Sequence, residues 1–271
     1  MIIRKSLREI DMIAAAGALV AETIAHVGRA IEPGITTDEL DAIADTFIRE
    51  RGGIPTSAGY KGYPKAICIS ANDVVVHGIP GALVVGEGDL VTIDVGVTLD
   101  GYIADSAYTF GVGEVAEGSQ RLLDVAQDAL AAGIAEAVVG NRVGDISHAV
   151  QTVVEAGGFS VVRSLVGHGV GRHYHEDPHI PNFGEPGRGP RLSDGMTIAI
   201  EPMITAGGAE IEVAADGWTI TTQDGSMSAH FEHTVAVMDD GPRILTPRVG
   251  VADRGRGAPA LQGSSRDRKP R

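Results

Sequence analysis

Residues 90–110 read LVTIDVGVTLDGYIADSAYTF. Val91, Ile93, Val95 and Val97 alternate with Thr92, Asp94, Gly96 and Thr98, the period-two pattern of a strand with one buried face. The pair Asp100-Gly101 is a two-residue hairpin signal, because both positions of that turn need positive φ. A turn there pairs Thr98 with Ile103 and Gly96 with Asp105. Asp94 and Asp105 then share one face, a diagonal step apart, while the valines and Ile93 face the other way. Two acids inside apolar arms lose hydration and repel each other. The hairpin therefore calls for something that holds carboxylates.

The pattern extends outward in both directions and repeats. Residues 6–30 have the apolar spacing of an amphipathic helix, with Ile10, Ile13, Leu19 and Ile24 on its inner face and a Pro-Gly stop at 33–34. Thr36 or Thr37 can cap a second helix, TDELDAIADTFIRERGG, which stops at Gly52-Gly53. An apolar run then ends in His77-Gly78-Ile79, just before the hairpin. The second half repeats this order. SQRLLDVAQDALAAGIAEAVVG reads as a helix ending at Gly140, and GDISHAVQTVVEAGG as another with Asp145 near its start. FSVVRSLVGHGV ends in His168-Gly169-Val170, and GMTIAIEPMI and SAHFEHTVAVM read as strands. Gly34 and Gly140 lie 106 residues apart, and DLVTID and GMTIAIE are separated by about the same distance. Two homologous α+β halves are expected.

Strand parity locates the acids of the second half. Glu201 shares a face with Thr197 and Ala199, and Glu232 shares one with His230 and Thr234. Each half thus offers two carboxylates on a sheet face backed by hydrophobic residues. Four such groups together would cost several kcal/mol per ion if left bare. A pair of divalent cations would cancel their charge, and His168 adds a neutral nitrogen donor. A satisfied structural carboxylate is the ordinary role of any one of these acids; the duplicated set points to metal.

Composition narrows the function classes. The chain has 271 residues, 43% of them hydrophobic, and a formal charge of −14. That excess of acid argues against wholesale attraction to nucleic acid or an anionic membrane. Cys68 is the only cysteine, so no intramolecular disulfide can form. No stretch reads as a signal-peptide core or as the ~20 apolar residues of a membrane span, and a cytoplasmic location is expected. Residues 247–271 differ: they are rich in Pro, Gly and Ser and carry seven Lys or Arg against two Asp. Disorder is expected for this tail, with a transient contact to an anionic partner such as the ribosome as the functional reading. A catalytic domain is accordingly expected over residues 1–246.

GYPKAICISANDVVVHGIP, the DVG…DS hairpin, GHGVGR followed by YHEDP, IAIEPM and HFEHTVAV occur in order. Together they resemble the type I methionine aminopeptidases over residues 3–246. The resemblance implies the pita-bread fold, an α+β arrangement of two pseudo-twofold halves with a central curved antiparallel sheet and outer helices. It implies removal of N-terminal methionine from peptides and nascent chains, with a small second residue preferred, by a monomer. It also implies a dinuclear site of Mn, Fe, Co or Zn. Asp94 would bind one ion, His168 and Glu201 the other, and Asp105 and Glu232 would bridge them. Symmetry alone would make His77 a ligand like His168, whereas the resemblance makes it a substrate contact. Catalytic roles are implied for His77, His175 and Glu201, and a side-chain pocket for Tyr60, Tyr63, Cys68, Tyr174 and Trp218. His26 and His148 are expected to be structural, and His173, His179, His230 and His233 to lie at the surface or behind the ligands.

The chain lacks the cysteine-rich extension of eukaryotic type I enzymes and the insertion between Glu201 and Glu232 of type II enzymes, which favours a bacterial form. Tyr174 stands where relatives often carry Phe. Two alternatives stay open: a proline-directed enzyme of the same fold, and an inactive homologue that binds nascent chains or ribosomes.

Overall fold

The chain runs α1 (Leu7–Gly28), α2 (Thr37–Glu50), β1 (Ile54–Pro55), β2 (Cys68–Ala71), β3 (Val74–Val76), β4 (Leu90–Leu99) and β5 (Tyr102–Gly111) in its first half. The second half begins α3 (Glu117–Ala135), α4 (Val143–Ala156), β6 (Ser160–Val161), β7 (Val166–Gly169), β8 (Glu176–Pro181) and β9 (Thr197–Ile200). It continues β10 (Met203–Thr205), β11 (Ile211–Val213), β12 (Ile220–Thr222), β13 (Ser228–His230), β14 (His233–Ala236) and β15 (Arg243–Ile244). The structure, a computed structural model, describes residues 1–250. Most of the basic segment expected to be disordered, residues 251–271, lies outside the described residues.

Local chemistry sets the helix starts. Ser6 and Thr36 each accept a backbone N–H three residues on, and Glu9 and Glu39 reach back to the cap. One expected boundary shifts. The helix that sequence extends to Gly140 stops at Ala135, because Ala137 and Val138 turn back to donate to the carbonyls of Ile134 and Glu136.

Among the described residues every strand ladder is antiparallel. β4 pairs with β5 on one side and with β1 and β2 on the other, and the second half builds the order β15-β14-β9-β7-β8. Each half has its own core. α1 lays Ile10, Ile13, Leu19 and Ile24 against Val91, Ile93, Val95 and Val97. α3 and α4 lay Leu122, Ala126, Ile146 and Val150 against Ile198, Ile200 and Val235. Burial of these apolar faces, at roughly 25 cal/mol per Å², fixes the opposite strand faces toward each other. Among the described residues α1 alone has the length and hydropathy a membrane crossing needs, with a window averaging 1.5. It serves as a core helix, with 61% of that window buried in the protein.

The halves meet where β5 faces β13 and β14, and there side chains replace the ladder. Thr234 Oγ1 accepts from Asp105 N–H at 2.9 Å and donates to Asp105 O at 2.8 Å. Thr109 does the same for His230, at 3.0 and 2.8 Å. Ser106 Oγ donates to Glu232 O, and Glu232 N–H donates to Ala107 O at 3.0 Å.

Candidate metal centre

The β4–β5 hairpin has the expected register. Thr98 pairs with Ile103 and Gly96 with Asp105, around a turn with Asp100 at φ 49° and Gly101 at φ 78°. Asp94 pairs with Ala107 across the hairpin and with Cys68 of β2 on its other side. Asp94 and Asp105 therefore share a face.

The second half presents its acids differently. Glu201 and Glu232 do not lie within strands: each sits in a break, between β9 and β10 and between β13 and β14. Pro202 has no N–H to continue a ladder. The register is nonetheless the same on both sides, with Ile200 opposite His233 and Met203 opposite His230. Glu201 and Glu232 thus stand opposite one another. Asn182 donates to Glu201 O at 2.9 Å, which satisfies the freed carbonyl.

His168 sits at an irregularity of β7, between Gly167 and Gly169. Its Nδ1 is 2.9 Å from Gly169 O and must donate, because a carbonyl only accepts. Nε2 is then an unprotonated donor atom aimed inward. It lies 3.5 Å from Glu201 Oε1 and 3.8 Å from Asp105 Oδ2. Donor atoms of Asp105, His168 and Glu232 all fall within 4.8 Å of one another.

Electrostatics show why this cluster needs a cation. Burial raises the pKa of Asp94, Asp105, Glu201 and Glu232, and mutual repulsion adds to it for the last three. Burial lowers His168 to about 4, so its imidazole is neutral at physiological pH. Asp105 Oδ1 and Glu232 Oε1 are buried with no hydrogen-bond partner. Oxygen-rich donors with one imidazole, two of their oxygens orphaned, suit a divalent metal.

The residues expected to form the side-chain pocket converge. Tyr60, Tyr63, Cys68, Tyr174 and Trp218 line one small cavity with Ser57, Asp105 and His175. The Tyr63 and Trp218 rings meet edge-on at 5.1 Å, and Tyr63 Oη donates to Gly78 O at 2.8 Å. The Tyr174 hydroxyl finds Ser57 Oγ at 3.2 Å. His175 stands at the mouth, its ring 4.2 Å from that of His168 and its Nδ1 3.0 Å from Tyr60 Oη. Burial, the largest cause, lowers the pKa of His175 to about 3.

His77 follows β3 with φ 59°, its ring edge-on to Trp218 at 6.2 Å. The strand that occupies the place of β7, beside the acid-bearing strand, is β2 and not β3. The shared His-Gly motif is therefore not a structural equivalence, and the symmetry expectation for His77 fails.

His173 and His179 line an outer cavity with His175, as expected for surface groups. His233 is buried, with Nδ1 2.9 Å from Thr246 Oγ1. His26 stacks on Phe47 at 4.3 Å, and His148 lies on α4. His230 goes further than its expected supporting role. It is 2% exposed, neither ring nitrogen has a hydrogen bond, and Nε2 is 3.8 Å from Glu201 Oε2. Burial holds its pKa at about 3. Its parity with Glu232 was the available signal. Sequence reasoning also missed Ser106 and Arg248, and the bonding of Thr234 to Asp105; these side chains hydrogen-bond backbone groups of the Asp105 and Glu232 segments.

A sequence model of metallopeptidase family M24 matches residues 11–239. The chain belongs to metallopeptidase family M24. Within that family it is 49% identical to the methionine aminopeptidase of Clostridium perfringens, over 91% of this chain and 99% of that one. It is 50% identical to methionine aminopeptidase 1 of Mycobacterium tuberculosis, over 90% and 94%. The crystal structure of methionine aminopeptidase from Rickettsia prowazekii superposes with a TM-score of 0.90 at 42% identity, covering 91% of this chain and all of that one. The resemblance read from the motifs holds, and with it the α+β pita-bread fold and the use of divalent metal expected of an M24 enzyme.

Proposed function

We propose that this M24 hydrolase removes N-terminal methionine from peptides and nascent chains, preferring a small second residue, with two divalent metal ions drawn from Mn, Fe, Co and Zn. The observation that carries the reading is the meeting of Asp105, His168 and Glu232 beside an aromatic cavity with Cys68 in its wall. Aromatic and sulfur-bearing walls suit an unbranched thioether.

Asp94 would hold one ion, His168 and Glu201 the other, and Asp105 and Glu232 both. When bound, the ions would lower the pKa of a shared water and polarise the scissile carbonyl. The side chains do the rest. Glu201 takes the proton of the attacking water and carries it to the leaving amine. With the Tyr60 hydroxyl, 3.0 Å from His175 Nδ1, as the donor in that pair, Nε2–H is left to stabilise charge developing on the carbonyl oxygen. His175 is suited to this role because its low pKa keeps it a neutral, oriented donor. His77, beside Trp218, contacts the substrate near the scissile nitrogen. A monomeric, cytoplasmic catalytic unit over residues 1–246, with a basic tail available for a ribosome contact, completes the proposal. The chain's negative charge outside that tail supports the contrast.

The test is metal-stripped protein titrated with each cation and assayed on Met-Ala-Ser and Ala-Pro-Ala. Metal-dependent cleavage of the first alone is expected. Cleavage of neither with metal bound would favour a binding protein, and cleavage of the second a proline-directed enzyme. His175→Ala should lower kcat on the order of 10²–10³ with metal content intact; unchanged turnover would remove His175 from the mechanism.

A further inference from the structure

Arg248 belongs by composition to the basic tail, yet its guanidinium sits among the segments that carry the metal donors. The chain after β15 is held tightly on its way there. Leu245 N–H donates to Thr234 O at 2.8 Å. The Leu245 carbonyl presses against Gly17 of α1, where a Cβ would lie only 2.1 Å from its oxygen. Thr246 Oγ1 accepts from Thr234 N–H at 3.2 Å. Two residues later the Arg248 fork hydrogen-bonds two other segments of the described chain. Nη1 donates to Ser106 Oγ at 3.0 Å, and Nη2 donates to Ala107 O at 2.8 Å and to Glu232 O at 3.0 Å. The guanidinium carbon lies 4.9 Å from the Tyr108 ring centroid.

Ser106 and Ala107 directly follow Asp105, and Glu232 is itself one of the four acids. One planar group therefore ties together the backbone segments that bear Asp105 and Glu232, at the seam where β5 faces β13 and β14 without a ladder. It also brings a fixed positive charge to a site with four acids. We propose that Arg248 is a positioning residue of the metal centre, setting the spacing of Asp105 and Glu232 by cross-bonding their backbones. This rests on taking those two acids as metal donors. A Lys at 248 keeps the charge but not the planar fork that reaches several acceptors at once, so the three chemistries separate.

The experiment is calorimetric titration of metal-stripped full chain with Mn(II), for the parent, Arg248→Ala and Arg248→Lys, with circular dichroism to confirm folding. The parent must bind first; a parent that does not would sink the reading of Asp105 and Glu232 as donors and the proposed role of Arg248 with it, whereas a variant-only loss bears on Arg248 alone. Given parent binding, Arg248→Ala should weaken Mn(II) affinity by about 10–100-fold, the range for outer groups that orient ligands, with Arg248→Lys between. At saturating metal, kcat on Met-Ala-Ser should fall with KM within about twofold of parent. A folded Arg248→Ala that melts earlier but binds Mn(II) within about twofold of parent would overturn the proposal, because a merely structural contact behaves that way. If Arg248→Ala does not fold, Arg248→Lys decides: more than about twofold weakening supports the role, and parent affinity overturns it.

Discussion

The two halves present the same pair of carboxylates on different backbones. In the first half, β4 and β5 form ten unbroken residue pairs, and Asp94 and Asp105 are diagonal neighbours. In the second, the matching strands are broken at both acids, and Glu201 and Glu232 stand directly opposite. The second half also adds His168 from a strand irregularity, whereas the first half's His-Gly motif leaves His77 beside Trp218. The halves agree in which face carries acid and differ in how rigidly the backbone holds it. A continuous ladder carries Asp94 and Asp105, and Thr234 adds two hydrogen bonds to Asp105 from across the seam. Glu201 and Glu232 depend on partners from elsewhere: Asn182, Ala107, Ser106 and Arg248.

The largest expected effect tests the agreement. Asp105→Asn and Glu232→Gln should each lower kcat/KM on Met-Ala-Ser on the order of 10³ or more, about 4 kcal/mol or above, and metal analysis should show lost stoichiometry. Near-parent turnover in either variant would mean that its half does not supply a shared donor.

The next contrast separates the two histidines. His168→Ala should abolish tight binding of one metal. His77→Ala should keep full metal content while kcat falls about 10²-fold. Equal metal loss in both variants would restore the symmetry that the strand order denies.

A pH series on metal-stripped protein asks what the shared charge costs. Asp94, Asp105, Glu201 and Glu232 have folded-state pKa values above their unfolded ones. The stability linked to their protonated forms is therefore complete below the unfolded values and is lost as pH rises through the raised ones. The melting temperature should drop by about 5 °C or more between pH 5 and 8. Saturating metal should abolish that slope; a flat profile without metal would show that neither burial nor repulsion raises these acids.

The smallest effect tests the seam. Thr234→Val leaves the Asp105 N–H without its acceptor, and urea unfolding should show a loss of roughly 1–3 kcal/mol. No loss would mean that the β3–β12 ladder and the apolar clusters hold the halves together without this contact.

Much of this was legible in the residues. The Asp100-Gly101 turn dictated the hairpin register and hence the common face of Asp94 and Asp105. Thr36 was visible as a cap. The breaks at Glu201 and Glu232 were not, because apolar alternation runs straight through TIAIEPMI and AHFEHTVAV, and Pro202 was the only cue. The shared His-Gly motif misled on symmetry because it recorded order along the chain, not which strand pairs with which. Arg248 was hidden by composition: hydrogen bonds to distant segments leave no mark on the Pro/Gly/Ser-rich stretch around it.

The sequence by itself determined strand parity, turn geometry, helix caps and the placing of four acids on inward faces, since these follow from interactions within a strand, a turn or one helical repeat. Tertiary structure alone decided that Asp105, His168 and Glu232 meet, with Glu201 3.5 Å from His168, and that His230 and Arg248 lie against these residues. Those contacts form only when two separately buried cores bring β5 against β13 and β14. Across that seam hydroxyls, a backbone amide and one guanidinium, not a periodic ladder, carry the hydrogen bonds.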